Sequence, residues 1–175
     1  FAKGRIIIDP NYRDYTQYMD KVGNYDNWKE FYADAEEDIP FNMITPLELP
    51  ARITIFKDAD HAHDLLTQRL VTGVLLMVNN TPVKWISKWQ KTVETSTYGS
   101  EMVAGRVATE LAIEYQNTLR LLGVPIDGPA LMLGDNQSVV LSTTVPSSIL
   151  KKKHNAIAYH RIREAIAAGI IQFVH

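Results

Sequence analysis

Three acidic residues stand where a folded chain could bring their side chains together. Asp58 and Asp135 each end a run with the composition of a β-strand, and Glu101 lies near the start of the longest helical pattern. Open α/β sheets bind ligands beyond the ends of their strands, and the first turn of a helix favours a carboxylate and keeps it ionised. The pattern therefore predicts that the three carboxylates converge at one edge of a sheet.

The chemistry of such a cluster is that of a metal centre. Three oxygen ligands in a chain without cysteine suit Mg²⁺ or Mn²⁺. Two such ions about 4 Å apart would activate a water molecule and stabilise the leaving oxygen of a phosphodiester. Asp58, Glu101 and Asp135 are therefore the candidate catalytic and metal-binding residues.

The elements that must position these residues follow from hydrophobic periodicity and turn signals. The element order is β-β-β-α-β-α-α-β, which predicts an α/β fold with a mixed five-stranded sheet flanked by helices. The first three strands should form antiparallel hairpins, and the last two should join on the other side of the first strand, which becomes central. The predicted strands are 52–58, 70–80, 83–90, 128–136 and one from 170, and the predicted helices are 94–123, one from 136 and one within 146–169.

Composition divides the 175 residues into two parts. Residues 1–50 hold ten acidic and five basic residues and end in a stretch with three prolines, so a boundary is expected near Pro50. A short strand over 4–12 and a helix around 26–36 are predicted within this part. The chain shows no apolar run of membrane-spanning length and no signal peptide, and the absence of cysteine suits an intracellular protein.

Four motifs in order carry a resemblance to a known family: FKDADHAHD, SKWQKTVETSTYGSEMVA, LGDNQSVV and KKKHNAIAYHRIREAI. They resemble the ribonuclease H domain of Copia-type retrotransposon Pol polyproteins, which reads D-A-D-W, S-K-K-Q…S-T-E-A-E-Y, D-N-Q-S and K-H-I-D…Y-H-x-I-R-E. The resemblance covers residues 51–175 and implies a ribonuclease H-like fold for them. Residues 1–50 would then be the connection that follows a reverse transcriptase.

The resemblance also implies a function. It is that of a two-metal-ion endonuclease, using Mg²⁺ or Mn²⁺, which hydrolyses the RNA strand of RNA/DNA hybrids during reverse transcription. Asp58 would contact both ions, and Glu101 and Asp135 one each; Gln137 would help to hold the hybrid. The implied partners are the hybrid and the reverse transcriptase portion of the same polyprotein, with no membrane. The implied location is intracellular, in a cytoplasmic particle, with the nucleus as a second location.

The sequence departs from the family pattern at several positions. His61 replaces the Trp after D-A-D, the first Glu of T-E-A-E-Y is absent, and Ala156 replaces the Asp of K-H-I-D. The family usually carries a fourth carboxylate in an A-D-x-x-T-K motif past the last strand. That carboxylate is expected beyond His175, in a domain truncated at its C-terminus.

Several residues have two interpretations from sequence alone. Lys151, Lys152 and Lys153 fit a solvated basic turn or a phosphate contact equally well. The pair His61 and His63 lacks a third zinc ligand, which favours surface roles. The tryptophans of the third strand, Trp85 and Trp89, are predicted to pack in the core rather than to stack on bases.

The leading function has alternatives. A catalytically inactive ribonuclease H-like module could bind hybrid or brace a reverse transcriptase, and the missing fourth acid favours this interpretation. Integrase-like and Holliday-junction nucleases share the fold with different acid placement, and a D-x-D sugar transferase is a distant third. Convergence of Asp58, Glu101 and Asp135 within about 6 Å of one point would favour the ribonuclease over the other enzymes.

Overall fold

The chain folds around one five-stranded mixed sheet. The structure is a computed structural model and describes residues 8–11, 27–47, 49–60, 70–90, 96–150 and 153–175. The strands are β1 (Ile53–Asp60), β2 (Val71–Val78), β3 (Thr81–Trp89), β4 (Ala130–Gly134) and β5 (Ile171–Val174). The helices are α1 (Trp28–Phe31), α2 (Thr97–Leu121), α3 (Gln137–Thr144) and α4 (Ala156–Ala167), with a 3₁₀ turn at Lys153–Asn155 before α4.

The strand order is β3-β2-β1-β4-β5, so β1 is the middle strand. β1 pairs antiparallel with β2, and β2 antiparallel with β3. On the other side β1 pairs parallel with β4, and β4 parallel with β5. The predicted fold class, strand order and central position of β1 are confirmed.

Local signals explain where the elements begin and end. Asn79 and Asn80 form the β2–β3 turn, and Asn79 has φ 53°, a conformation that asparagine tolerates better than most residues. The Ser96 hydroxyl accepts a hydrogen bond from the Gly99 N–H and caps the start of α2. Gly123, with φ 74°, follows the end of α2, as the sequence predicts.

The core lies between the sheet and helices α2 and α4. On α2 the small residues Ala104, Gly105 and Ala108 are fully buried, whereas Val103 and Val107 lie at the margin of the core. The close approach is visible at Gly105, where an added Cβ would lie 2.9 Å from Ile162 Cδ1. Small residues on α2 thus bring this helix close to α4. The largest fully buried core side chains include Ile53, Ile55, Leu76, Met102, Met132, Ile162 and Phe173.

The segment before β1 packs on this domain. The predicted helix around 26–36 is reduced to the four residues of α1, and the described residues of the predicted strand over 4–12, numbers 8–11, are not in a strand. Arg120 forms a bidentate ion pair with Glu37, at 2.6 and 3.0 Å. The Leu47 N–H donates to the Gly123 carbonyl at 2.6 Å. The boundary near Pro50 stays a prediction.

The edge strand β3 corrects one expectation. Trp85 is 65% exposed and Trp89 is 50% exposed, so the prediction that they pack in the core is wrong. The reason is that strand alternation places both tryptophans on the face of β3 opposite to Ile86, and it is Ile86 that packs against the core. Among the described residues, none of the helices combines the length and apolar character needed to cross a membrane.

Candidate metal centre

Three carboxylates meet where the pairing of β1 with β4 ends, although β1 itself does not stop at Asp58 as predicted and continues along β2 to Asp60. Asp58, Glu101 and Asp135 each offer an oxygen, and these oxygens all lie within 4.8 Å of one another. The parallel register of β1 and β4 explains why Asp58 and Asp135 are close, because Lys57 pairs with Gly134 and each aspartate comes directly after its member of this pair. The structure thus brings together the three residues that the sequence singles out. Their roles as metal ligands and catalytic residues stay predictions.

The D-N-Q-S motif joins β4 to α3. Asp135 follows the last residue of β4 and is exposed. The Asn136 side chain accepts a hydrogen bond from the Val139 N–H at 3.2 Å and so caps α3. Gln137 is the first residue of α3 and is exposed. A ring nitrogen of His175, at the end of β5, lies 3.0 Å from the Asp135 carbonyl oxygen. These contacts fix the backbone that carries Asp135.

Glu101 is held differently from the sequence prediction. It lies in the second turn of α2, because the helix begins at Thr97, and it is buried. The expectation that it sits in the first turn, among free N–H groups, is therefore wrong. Its Oε1 accepts a hydrogen bond from the Ala59 N–H at 3.1 Å, and its Oε2 accepts one from the Lys57 ammonium. Burial raises the pKa of Glu101, and Lys57 opposes that rise.

Lys57 is the residue of the site that sequence reasoning missed. Its side chain is fully buried and forms an ion pair with Glu101. The ammonium nitrogen lies 5.4 Å from the centroid of the Phe173 ring, a cation–π contact. The available signal was its place on β1, two and four residues after the buried Ile55 and Ile53. Such a position predicts a buried side chain, and a buried lysine needs an acidic partner.

The predicted substrate-binding residues are only partly described. Gln137, two residues after Asp135 in the chain, is exposed, and Lys153 is exposed at the start of the 3₁₀ turn before α4. Lys151 and Lys152 lie outside the described residues, as do His61 and His63. Contact of these residues with nucleic acid stays a prediction.

The donor set suits a hard divalent cation. Asp58 and Asp135 present exposed carboxylates close to each other, and oxygen ligands of this kind are those that Mg²⁺ and Mn²⁺ prefer. Glu101 already holds the positive charge of Lys57 at one oxygen and the Ala59 N–H at the other. The two aspartates therefore fit a divalent ion directly, and Glu101 fits one only in competition with Lys57.

Sequence comparison shows that the chain is similar to Pol polyproteins of transposons. No family model matches the chain. Its relatives include the retrovirus-related Pol polyproteins from transposon RE2 of Arabidopsis thaliana, 28% identical over 123 residues, and from transposon TNT 1-94 of Nicotiana tabacum, 29% identical over 111 residues. These matches cover 69% and 63% of the chain but 8% of each relative. The resemblance to Pol polyproteins of Copia-type transposons is confirmed.

A solved structure gives the fold independently. The RNase H1 of the halophilic archaeon Halobacterium salinarum NRC-1 superimposes with a TM-score of 0.50 at 15% sequence identity. The match covers 70% of this chain and 80% of the archaeal one. At this identity the likeness establishes the ribonuclease H-like fold alone.

Proposed function

We propose that this chain is a divalent-metal-dependent endonuclease that hydrolyses the RNA strand of RNA/DNA hybrids. The observation that carries the proposal is the meeting of Asp58, Glu101 and Asp135 beside the end of the β1–β4 pairing in a ribonuclease H-like fold. Similarity to transposon Pol polyproteins supports a role in reverse transcription, next to a reverse transcriptase portion of the same polyprotein.

The aspartates and the glutamate have different parts in this proposal. Asp58 and Asp135 would hold the metal ions at the exposed edge, and Glu101 would complete the site from its buried position. Divalent ions bound there supply an activated water and neutralise charge on the phosphodiester, with two ions in the full arrangement. The Ala59 N–H and Lys57 hold the Glu101 carboxylate in place, and a metal ion would use its Oε2 only in competition with Lys57. The two exposed aspartates leave an open approach for the phosphate.

Binding of the hybrid would depend on its backbone. Gln137 is the exposed first residue of α3, two residues after Asp135, and its amide would donate to a phosphate or to a 2′-hydroxyl. Lys151, Lys152 and Lys153 would contribute sequence-independent contacts to phosphates, which weaken as salt concentration rises.

The test is cleavage of a labelled RNA/DNA hybrid by the purified chain with Mg²⁺ or Mn²⁺. We expect hybrid to be cut while RNA duplex and DNA duplex stay intact. Asp58→Asn and Asp135→Asn should each lower the rate by at least a hundredfold, because each removes a charged ligand at the reacting phosphate. Glu110→Gln is the matched control, since this exposed carboxylate pairs with Arg161 and lies outside the site. Wild-type rates in the Asp58→Asn variant would refute the assignment.

A second candidate is a module that binds hybrid or braces a reverse transcriptase without cutting. The observation that favours it is the ion pair of Lys57 with Glu101, which engages one of the three carboxylates. Under this alternative the chain retards hybrid in a mobility-shift assay, and no cleavage occurs at any Mg²⁺ or Mn²⁺ concentration. Cutting that requires Asp58 excludes it.

A further inference from the structure

The surroundings of Lys57 form a site for a buried ammonium group. The side chain is fully excluded from solvent. Among the described residues, its ammonium nitrogen donates a hydrogen bond to Glu101 Oε2. Gly134, its register partner on β4, leaves the space that the side chain fills. A Cβ on Gly134 would overlap Lys57 Cε and would lie 2.9 Å from its nitrogen and 3.0 Å from Phe173 Cε2. The lysine, the glycine and the ring therefore fit one another.

The charge of the ammonium matters for any cation that enters the site. Three ionised carboxylates carry a charge of −3, and Lys57 reduces the total to −2. One divalent ion then neutralises the site, and a second would give it a charge of +2 in a partly buried environment. Like charges at such short distance repel strongly where water is excluded. The ammonium also occupies an oxygen of Glu101 that a metal ion would otherwise use.

We propose that Lys57 is an internal counterion that competes with divalent cations for Glu101. The site consequently binds one divalent ion tightly, at Asp58 and Asp135, and a second one weakly at the Glu101 corner. This inference rests on the proposed function, because it concerns the same metal centre. It assigns to Lys57 a positioning role: the residue acts through Glu101 and touches neither substrate nor the reacting atoms.

The first test is Mn²⁺ binding followed by electron paramagnetic resonance of the free ion. Wild-type chain should bind one ion per molecule in the tight range. Lys57→Met keeps the length of the side chain and removes its charge, so we expect Mn²⁺ binding at least tenfold tighter, about 1.4 kcal/mol, and a second bound ion. Lys84→Met is the matched control, because this exposed lysine on β3 carries the same charge away from the site. It should leave the binding curve unchanged.

Lys57→Met leaves Glu101 buried without its partner, and the variant can fail to fold for that reason. A second variant then keeps the test decisive. Lys57→Met combined with Glu101→Gln removes both charges and leaves the total at −2, and such a paired replacement is often neutral for stability. With Glu101 engaged by Lys57 in the wild type, the double variant should bind one Mn²⁺ within threefold of the wild-type affinity. A loss of tenfold or more would mean that Glu101 is an ordinary metal ligand and would overturn the proposal.

Running the hybrid-cleavage assay on the same proteins separates the two proposals. Hybrid cutting by the wild type, with equal Mn²⁺ affinity in wild type and Lys57→Met, would refute the counterion role and leave the nuclease intact. Tighter Mn²⁺ binding by Lys57→Met in a chain that never cuts hybrid would support the counterion and refute the nuclease. Absence of Mn²⁺ binding by every folded variant would overturn the counterion proposal.

Discussion

Arg163 offers the sharpest test of how the helical layer is held together. This residue of α4 is 2% exposed. Its guanidinium donates to the carbonyl oxygens of Ser142, Val145 and Pro146 at 3.1, 2.8 and 2.5 Å, and its Nε donates to the Tyr32 hydroxyl at 3.0 Å. One side chain therefore joins α4 to the last turn of α3, to the residues directly after it and to the segment that precedes the sheet. Its guanidinium carbon also lies within 4.8 to 5.4 Å of the ring centroids of Trp28, Tyr32 and Tyr159.

Replacing Arg163 by lysine keeps the charge and removes the planar fork. A compact ammonium can reach part of this acceptor set, and the remaining carbonyls stay buried without a donor. Losing two of the four charge-assisted hydrogen bonds, at about 1.5–2 kcal/mol each, gives a loss of roughly 3–4 kcal/mol in the free energy of unfolding. For a chain of this size that loss lowers the melting temperature by on the order of 10 °C.

The matched control is Arg161, two residues before Arg163 on the same helix. Arg161 pairs with Glu110, but its side chain is 36% exposed, and such a surface pair contributes about 0.2–1 kcal/mol. Urea unfolding followed by circular dichroism should therefore place Arg161→Lys close to wild type and Arg163→Lys far below it. Equal midpoints for the two variants would refute the reasoning that the buried fork stabilises this junction.

Three further predictions concern packing, pH and the segment before β1. Gly134→Ala should cost about 1–3 kcal/mol in thermal unfolding, because its Cβ overlaps Lys57, whereas Gly73→Ala, with its nearest atom at 3.7 Å, should be far milder; equal losses would argue against the overlap. Burial raises the pKa of Tyr98, so the unfolded chain releases this proton first and stability falls as pH rises above about 10; Tyr98→Phe should flatten that slope, and an unchanged slope would exclude the effect. Residues 51–175 expressed alone should melt below the full chain, since the Glu37 and Leu47 contacts are lost; equal melting temperatures would show that these contacts contribute nothing.

The strand order could be predicted because each step depends on local pattern and general topology. The asparagine turn after β2 makes β2 and β3 a hairpin, and the long helix α2 between β3 and β4 allows the chain to return parallel to β1. Asp58 and Asp135 each follow the last residue pair that β1 and β4 share, which places these acids at the same edge.

The predictions that were wrong or missing concern features that a short stretch of sequence does not determine. Alternation places Trp85 and Trp89 on the same face of β3 but does not reveal that this face stays exposed at the sheet edge. The helical pattern did not fix the start of α2 closely enough to put Glu101 in the right turn. The space for Lys57 depends on Gly134, which belongs to a strand far along the chain and becomes its neighbour only through the register of β1 and β4.

The buried ion pair of Lys57 with Glu101 compensates the charge of the buried acid, and it leaves metal binding to the exposed acids. Three carboxylates within 4.8 Å of one another repel, and the most buried of them is the most costly to keep ionised. If a metal ion alone supplied the compensating charge, folding of the site would be coupled to metal binding. Lys57 supplies a positive charge from within the chain at Glu101, the acid that needs it most. The two aspartates are exposed to solvent, and they are therefore the carboxylates left available for the divalent ion.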